Sequence, residues 1–250
     1  MKEIYIFVRH CKFSSNSVGK DRPPWFTREG CFNNLLNTRD GNCDVNICFD
    51  GKLEGSGHFL EKDYYYDSFL VHEKIGGNDG ASFLNVLETV HDFDFKDDDI
   101  IYFLEDDYLH NINWPKILRE GFEETSADYV TLYDHNDKYT FSMYSDLVSQ
   151  IMATKSCHWR NIPSTTNTYA CLGKTFRKDY EIHKQFCNLT RGFTQDNDKF
   201  LELGKMNRSL ISSIPGYSTH CEPAFMSPVV DWEKVFKNTS HLKVPISLVI

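Results

Sequence analysis

Three adjacent carboxylates, Glu105, Asp106 and Asp107, directly follow the five apolar residues 100–104. A continuous apolar run with so abrupt an end is typical of a strand buried on both faces of a sheet, which would put the acids at its carboxyl end. In open α/β sheets, ligands bind at that edge. Adjacent carboxylates repel one another unless a cation holds them, and oxygen-rich sites suit Mg²⁺ or Mn²⁺. We therefore predict a divalent-metal site for a phosphate-bearing ligand, with an acidic, solvated turn as the alternative.

A glycine-rich segment, GGNDG at residues 76–80, directly precedes apolar residues at helical spacing. A glycine-rich turn that opens a helix lets the backbone approach a ligand and points free amide groups at it, which favours anions. Gly77, Asp79 and Gly80 are therefore candidate ligand-binding residues. The alternative is a flexible turn in which Asp79 caps the helix.

Strand and helix patterns alternate around these residues. Predicted strands are residues 4–8 before Arg9, 45–49 before Asp50, 64–72, 100–104, 128–133 and 210–214. Apolar residues recur at helical spacing from residue 32, from residue 83 and after Pro115. A short helix is also predicted after the acids Asp196 and Asp198. Residues 134–139 are predicted to form a polar loop, residues 140–170 a less regular region, and the apolar run 244–250 has no assigned element. The alternation predicts an α/β fold.

Composition is that of a globular domain: of 250 residues, 40% are hydrophobic, 14% aromatic and 25% charged. The formal charge of −9 argues against nucleic acid as a partner, because nucleic-acid binding needs a basic face. Eight cysteines without a C-x-x-C pair are expected to be reduced thiols rather than zinc ligands. The first apolar run is too short for a signal peptide, and no apolar stretch reaches about 18 residues. We therefore expect a soluble, cytoplasmic protein without a transmembrane segment.

Four of these features occur in the order that they have in the inverting family 2 glycosyltransferases of the GT-A fold. The chain resembles that family from about residue 4 to residue 220. Asp50, followed by glycine, is similar to the family's nucleotide-contacting acid, and residues 76–80 are similar to its glycine loop. Residues 105–107 fit the D-x-D metal motif with Glu in the first place. The segment QDND, residues 195–198, is similar to the family's E-D-x-D stretch, and His220 follows after a helix and a strand.

The resemblance implies a single GT-A (Rossmann-like) domain over residues 1–250, with a mostly parallel central sheet flanked by helices. Residues 1–110 would form the nucleotide-sugar-binding half, and residues 111–250 the acceptor-binding and catalytic half. The implied activity moves a sugar from a nucleotide-sugar donor, with uridine slightly preferred, to a hydroxyl group of a glycan or glycoconjugate acceptor. The anomeric centre would be inverted.

Donor binding would involve several residues of the first half of the chain. Asp50 can accept a hydrogen bond from the base or the ribose, and Arg9 can meet a base or a phosphate, although a surface ion pair is the alternative for Arg9. The donor-binding candidates are Arg9, Asp50, Gly77, Asp79, Gly80 and Asp106.

A metal would neutralise the departing diphosphate as a Lewis acid and template. Asp107, with Glu105 or Asp106, would hold Mn²⁺ or Mg²⁺. The resemblance suggests His220 as a further ligand. A hydrogen-bonded surface histidine is the alternative, because imidazole suits Mn²⁺ less well than carboxylate does.

The second residue of the family's E-D-x-D stretch is its catalytic base, which corresponds to Asp196. A positioned carboxylate can accept the proton of an attacking hydroxyl. Asp198 is the second candidate for the base, or it caps the following helix. Two solvated acids at a helix N-terminus are the remaining alternative.

Acceptor recognition departs from the family pattern, because Gln195 replaces Glu and the Q-x-x-R-W acceptor motif is absent. These departures indicate a divergent branch. The expected acceptor contacts combine aromatic rings with charged neighbours, and the alternative for them is plain packing; they are Asp134 and His135 after Tyr133, and the cluster His158, Trp159 and Arg160.

Other classes of function remain as alternatives. A sugar nucleotidyltransferase would share the sheet and the acids, but such enzymes resemble one another in a glycine-rich basic loop after the first strand. Here the first glycine after that strand is Gly19. A non-catalytic glycan-binding or scaffold protein on the same fold is the third hypothesis. A serine or cysteine hydrolase is disfavoured, because no G-x-S-x-G elbow occurs.

Overall fold

The protein has an α/β fold built on one large sheet. The structure is a computed structural model that describes residues 2–14, 17–62 and 68–241. The strands are β1 (Ile4–Cys11), β2 (Cys43–Asp50), β3 (Leu70–Lys74), β4 (Ile100–Glu105), β5 (Tyr108–His110), β6 (Tyr129–Thr131), β7 (Ile151–Ala153), β8 (His158–Asn161), β9 (Tyr169–Leu172), β10 (Leu210–Ile214) and β11 (Ser218–His220). The helices are α1 (Arg28–Thr38), α2 (Asp79–His91), α3 (Trp114–Glu123), α4 (Asp137–Thr140), α5 (Gly173–Gln185), α6 (Asp196–Lys205) and α7 (Trp232–Thr239). Within the described ranges, none of the helices has the length and apolar character needed to cross a bilayer.

Nine strands of the described chain form one sheet in the order β3-β2-β1-β4-β9-β6-β10-β8-β7. The neighbours among β3, β2, β1 and β4 are parallel, and so are β6 and β10, whereas β9 and β8 run antiparallel to their neighbours. All strands of the sheet except β9 and β8 therefore point in one direction, and their carboxyl ends meet at one edge. The predicted α/β fold with a mostly parallel central sheet is confirmed.

Strand β4 alternates its side chains between two hydrophobic clusters. Ile100, Tyr102 and Leu104 belong to one cluster, which α1 and α3 cover, and Ile101 and Phe103 belong to the other, which α2, α5 and α6 cover. All five side chains are at most 4% exposed. Both faces of the strand are buried, as its continuous apolar run predicts.

The second half of the chain contains more regular structure than the sequence predicted. Helix α4 lies in the predicted polar loop 134–139, and β7, β8 and β9 lie in the region 140–170. These strands have three or four residues, which are too few for hydrophobic periodicity to identify. The sequence also did not predict α5 or α7. Among the buried residues of α5 only Phe176 has a large apolar side chain, and in α7 only Trp232 is buried.

The third predicted strand, residues 64–72, overlaps β3, which begins at Leu70 and continues to Lys74. Residues 63–67 lie outside the described residues, so the start of that prediction is not compared. The apolar run 244–250 also lies outside the described residues.

Strand β11 pairs antiparallel with β5 in a separate two-stranded sheet. The register sets His220 opposite Tyr108, and the backbone amide of Cys221 donates to the carbonyl of Asp107 at 2.9 Å. This small sheet fixes His220 beside an acid that lies 113 residues earlier in the chain.

Candidate active site

A cleft of about 690 Å³ opens at the carboxyl edge of the sheet. Asp50, Asp107 and Asp196 all line it, although Asp50 ends β2, Asp107 follows β4 and Asp196 begins α6. Most of the other predicted donor-binding and metal-binding residues also line the cleft: Arg9, Gly77, Asp79, Glu105, Asp106 and His220. The fold therefore brings together acids that are far apart in the sequence.

Arginine side chains lie beside the three acids at the end of β4. The pairs are Arg9 with Glu105 at 2.5 Å, Arg28 with Asp106 at 3.4 Å and Arg22 with Asp107 at 2.6 Å. The sheet register explains the first pair, because Arg9 of β1 lies directly opposite Glu105 of β4. The sequence argument considered only a divalent cation as the source of positive charge. Arginines from β1, from the loop after it and from the start of α1 are a second source.

The acids differ in how readily they lose their protons. Burial alone would raise the pKa of Asp107, but the charge of His220 and a hydrogen bond from it, together with Arg22, hold that pKa well below its usual range. Burial raises the pKa of Asp106 to about 7, against the opposing charge of Arg28. Asp107 is therefore the acid that stays ionised, and Asp106 is the one that takes up a proton near neutral pH.

Asp107 and His220 fit the protein part of a nucleotide-metal site. Asp107 Oδ2 and His220 Nε2 lie 3.1 Å apart, which is close enough for both to contact one ion. Arginines hold the carboxylates of Glu105 and Asp107 at 2.5 and 2.6 Å, and Arg28 lies 3.4 Å from that of Asp106, so an ion at any of these acids would lie beside an arginine. The role of Glu105 or Asp106 as a further ligand stays a prediction. Among residues 2–14, 17–62 and 68–241, no group of three or more His, Cys, Asp or Glu side chains has the geometry of a metal site. A cation that arrives with a nucleotide needs only one or two protein carboxylates, because phosphates and water complete its shell.

Asp50 holds the glycine-rich segment in place. Its Oδ1 atom accepts hydrogen bonds from the backbone amides of Gly76 at 2.7 Å and of Gly77 at 3.2 Å. Gly77 has a φ of +77°, in the left-handed region that favours glycine. The Asp50 carboxylate thus lines the cleft and also fixes the loop. Its contact with a nucleotide stays a prediction.

The start of α2 is capped by Asn78, whose Oδ1 accepts a backbone amide of the first turn at 2.9 Å. Asp79 therefore does not serve as the cap. It pairs with Arg9 at 2.6 Å and lines the cleft. Gly80 does not line the cleft, because it is buried against the backbone, where an added Cβ would lie 3.1 Å from the carbonyl oxygen of Asn188. This placement favours a packing role, and the contact of Gly80 with a donor stays a prediction.

Asp196 and Asp198 have different surroundings. Asp196 is the first residue of α6, is partly buried and lines the cleft. Burial raises its pKa, and the charge of Lys199 opposes that shift. Asp198 is exposed, accepts a hydrogen bond from Gln195 Nε2 at 3.1 Å and does not line the cleft. The geometry thus favours Asp196 of the two candidates for the base.

The five predicted acceptor contacts do not line the cleft. Trp159 is 0% exposed and its Nε1 donates to the hydroxyl of Thr154, so its ring is not free to stack on a sugar. Arg160 and Asp134 form a buried ion pair at 2.8 Å, and His135 is buried with its ring in a hydrogen bond. His158 is exposed at the start of β8. Burial favours the packing alternative for Asp134, His135, Trp159 and Arg160, whereas a contact of the exposed His158 with an acceptor stays a prediction.

Several cleft residues were not singled out from the sequence. Lys12, Lys20 and Arg28 reach the cleft from the segment after β1. Their signal is present in the sequence, because basic residues recur just after the first predicted strand, where a parallel sheet binds its ligands. Thr166 and Asn167 also line the cleft. They reach it because β9, which follows them, runs antiparallel beside β4, and the sequence carries no sign of that pairing.

The sheet, the helices on both of its faces and the cleft at its carboxyl edge define a class of fold. It is an α/β fold of the GT-A, Rossmann-like type. Within this class, comparison by sequence gives no assignment. No protein-family model matches the chain, and no curated protein matches it.

Solved structures resemble the chain in fold. Residues 1–349 of TarS from S. aureus superpose with a TM-score of 0.54 at 12% sequence identity, covering 86% of this chain and 59% of the TarS chain. The protein thus spans less than two thirds of that TarS chain. TarS in complex with UDP-GlcNAc gives a TM-score of 0.49 at 14% identity, covering 86% of this chain and 57% of the other.

Two other solved structures superpose with lower TM-scores. The galactosyltransferase LgtC, in complex with donor and acceptor sugar analogues, gives a TM-score of 0.47 at 8% identity, covering 79% of this chain and 69% of LgtC. The cytidylyltransferase IspD of Francisella tularensis gives 0.47 at 12% identity, covering 96% of this chain and all, 100%, of IspD.

Proposed function

We propose that this protein transfers a sugar from a nucleotide-sugar donor to a hydroxyl group of a glycan or glycoconjugate. The observation that carries the proposal is the convergence of Asp50, Asp107 and Asp196 on one cleft. Glycosyl transfer needs these three functions side by side: an acceptor for the nucleotide's hydrogen bonds, a group that manages the diphosphate charge, and a base. The proposed location is cytoplasmic, as the sequence predicts.

The diphosphate is proposed to lie against the cations of the segment after β1. Lys12, Lys20 and Arg28 line the cleft, and Lys12 makes no ion pair with any described residue. All three charges can bind phosphate oxygens. Lys12 can do so without first breaking an ion pair. The nucleoside is proposed to contact Asp50 and the glycine segment that Asp50 holds.

Asp107 and His220 are the proposed protein ligands of Mn²⁺ or Mg²⁺ bound with the donor. When bound, such an ion supplies Lewis-acid stabilisation of the departing diphosphate. Asp107 suits this role because its low pKa keeps it ionised. Arg22 donates to Asp107 Oδ2 at 2.6 Å, the same oxygen that His220 contacts, and helps to orient the carboxylate.

Asp196 is the proposed base. The acceptor hydroxyl gives its proton to the Asp196 carboxylate as its oxygen attacks the anomeric carbon, and the bond to the diphosphate breaks. Attack from the face opposite the leaving group inverts the anomeric centre. A base works best when its pKa approaches the working pH, and burial raises the pKa of Asp196 in that direction.

The test is a thermal-shift screen of nucleotide sugars with and without Mn²⁺, starting with UDP-sugars and including UDP-GlcNAc, which TarS binds. A ligand of the folded state raises the melting temperature. We expect a UDP-sugar to do so, and Mn²⁺ to enlarge the shift. Asp107→Asn should remove the Mn²⁺-dependent part of the shift. Asp98→Asn is the control and should keep that part, because Asp98 is an exposed acid before the start of β4, at the end of the strand opposite the cleft. Failure of every nucleotide sugar to shift the melting temperature would contradict the proposal.

A sugar nucleotidyltransferase is the second candidate, favoured by one observation. The basic segment after β1 lines the cleft, although glycine is absent from its first part. Such an enzyme binds a nucleoside triphosphate and releases pyrophosphate when a sugar phosphate is added. Pyrophosphate release with CTP or UTP and a sugar 1-phosphate would favour this candidate over sugar transfer.

A further inference from the structure

Lys199 is a lysine buried inside the protein on α6. Its side chain is 1% exposed, and its ammonium Nζ donates to Asn167 Oδ1 at 2.7 Å. The same Nζ lies 4.6 Å from the ring centre of Tyr169 and 5.0 Å from those of Phe83 and Phe200. Rings and one neutral amide stabilise a buried ammonium only in part. An apolar side chain would fill the space between these rings with a smaller desolvation cost. The buried charge therefore indicates a functional role.

The ammonium fixes the direction of a hydrogen-bond chain that crosses the cleft floor. Because an ammonium can only donate, the amide oxygen of Asn167 must face Lys199, and its Nδ2 donates to Thr194 Oγ1 at 2.8 Å. Thr194 in turn donates to Asp79 Oδ2 from Oγ1 at 3.0 Å and from its backbone amide at 2.8 Å. Arg9 donates to the other oxygen of Asp79 at 2.6 Å. Every bond in the chain has one donor and one acceptor.

Lys199 lies one helical turn after Asp196. Residues i and i+3 of a helix share a face, with about 5–6 Å between their Cβ atoms. Asp196 is the acid on that face of α6 that lines the cleft. Burial lowers the pKa of Lys199 to about 8, and Asp196 is the first of the groups that oppose this shift. The two side chains therefore stabilise each other's charged forms.

We propose that Lys199 is a positioning residue for Asp196: its buried ammonium places a positive charge one helical turn from Asp196 on the same face of α6 and holds the Asn167 amide toward Thr194. The inference rests on the proposed function only in taking Asp196 as the base; the electrostatic link between the two residues stands without it. The charged or titratable groups that act on the pair from the surrounding elements are Arg9, Asp79, Glu105, Tyr169, Cys171, His183 and Cys187.

The test follows the carboxyl carbon of Asp196 by ¹³C NMR during a pH titration, with its resonance assigned by its loss in Asp196→Asn. Lys199→Met removes the charge and the donor, and Lys199→Gln removes the charge but keeps a donor for Asn167. In both variants we expect the midpoint of Asp196 to rise by about one pH unit or more, the shift that a lost neighbouring charge gives. Lys205→Met is the matched control, because that lysine is 73% exposed on the same helix and its loss should leave the midpoint unchanged.

The wild-type protein provides a second measurement that needs no variant. If Lys199 acts on Asp196, the Asp196 resonance should show a second step near pH 8, where Lys199 loses its proton. An unchanged midpoint in folded Lys199 variants, or the absence of that second step should the variants not fold, would overturn the proposal. Those results would leave Lys199 with a packing role.

This outcome can be separated from that of the proposed function, because the titration uses no donor or acceptor. A shifted midpoint in a protein that binds no nucleotide sugar would uphold the link and reject sugar transfer. Where transfer is observed, Lys199→Gln should move the acid limb of the kcat profile to higher pH and leave donor affinity unchanged. A uniform loss of kcat at every pH would contradict the positioning role.

Discussion

At the residue scale, acids of one chemical type acquire different properties from their partners. Asp107 is held ionised by His220 and Arg22, whereas burial raises the pKa of Asp106 and of Asp196. A ligand of a cation must stay ionised, and a base must be able to take up a proton. The division of roles between Asp107 and Asp196 follows from these surroundings.

Replacing Asp196 by Asn should separate binding from chemistry. The amide keeps the size of the side chain but cannot accept the acceptor's proton, so kcat should fall by a factor of roughly 10² to 10⁴. Donor affinity, measured by calorimetry, should stay within a few-fold of the wild type. Asp198→Asn is the control, because Asp198 lies outside the cleft, and its kcat should be unchanged. Near-normal turnover of Asp196→Asn would move the base to another residue.

At the scale of elements, the glycine segment before α2 is a tightly packed junction. An added Cβ at Gly76 would lie 2.6 Å from the backbone nitrogen of Ser82 and 2.8 Å from its Cα, so the start of α2 would have to shift. The amides of Gly76 and Gly77 also bind Asp50. Close packing against the first turn of α2 thus requires a glycine at position 76, in addition to any ligand.

Gly76→Ala should therefore weaken both folding and donor binding. Overpacking of this kind costs about 1–3 kcal/mol of the free energy of unfolding, measured by urea denaturation. Donor affinity should fall as well, because the shifted loop loses its bonds to Asp50. Gly41→Ala is the matched control, since an added Cβ there meets nothing within 4 Å, and its effect should stay within about 0.5 kcal/mol. Equal stability of the two variants would count against the packing argument.

At the scale of the whole molecule, buried charges join distant segments. Asp179 accepts hydrogen bonds from Nε and Nη2 of Arg208, both at 2.7 Å. Arg160 forms an ion pair with Asp134, and Lys199 donates a hydrogen bond to Asn167. Pairs with a full opposite charge offset much of the cost of burial. Lys199 has only a neutral amide as its direct partner, so its burial should reduce the stability of the protein at neutral pH.

This cost should appear in the pH dependence of stability. The pKa of Lys199 is lowered by burial to about 8 from an ordinary value of 10.5, so between these pH values the unfolded chain binds more protons than the folded one. The free energy of unfolding of the wild type, relative to Lys199→Met, should therefore rise with pH across this window by up to about 3 kcal/mol. Below pH 8 the difference should be constant. Urea denaturation from pH 7 to pH 10.5 measures it, Lys205→Met should show no such rise, and parallel profiles would refute the expectation.

The sequence by itself determined the parts of the protein that depend on local pattern. The five apolar residues of β4 must be buried on both faces, and the acids that end the run must lie at the sheet's carboxyl edge. Both expectations follow from the hydrophobicity of consecutive residues. The same rule applies to Asp50 after β2 and to the glycine segment before α2. Their convergence follows from parallel strands, which share one functional edge.

Only the tertiary structure decided which partner each side chain has. His220 reaches Asp107 through the pairing of β11 with β5, Arg22 reaches it from the loop after β1, and Trp159 is buried by segments far along the chain. Asp107 is 85 positions from Arg22 and 113 from His220. No local pattern encodes them, because burial, charge pairing and pKa depend on the sum of all neighbours in space.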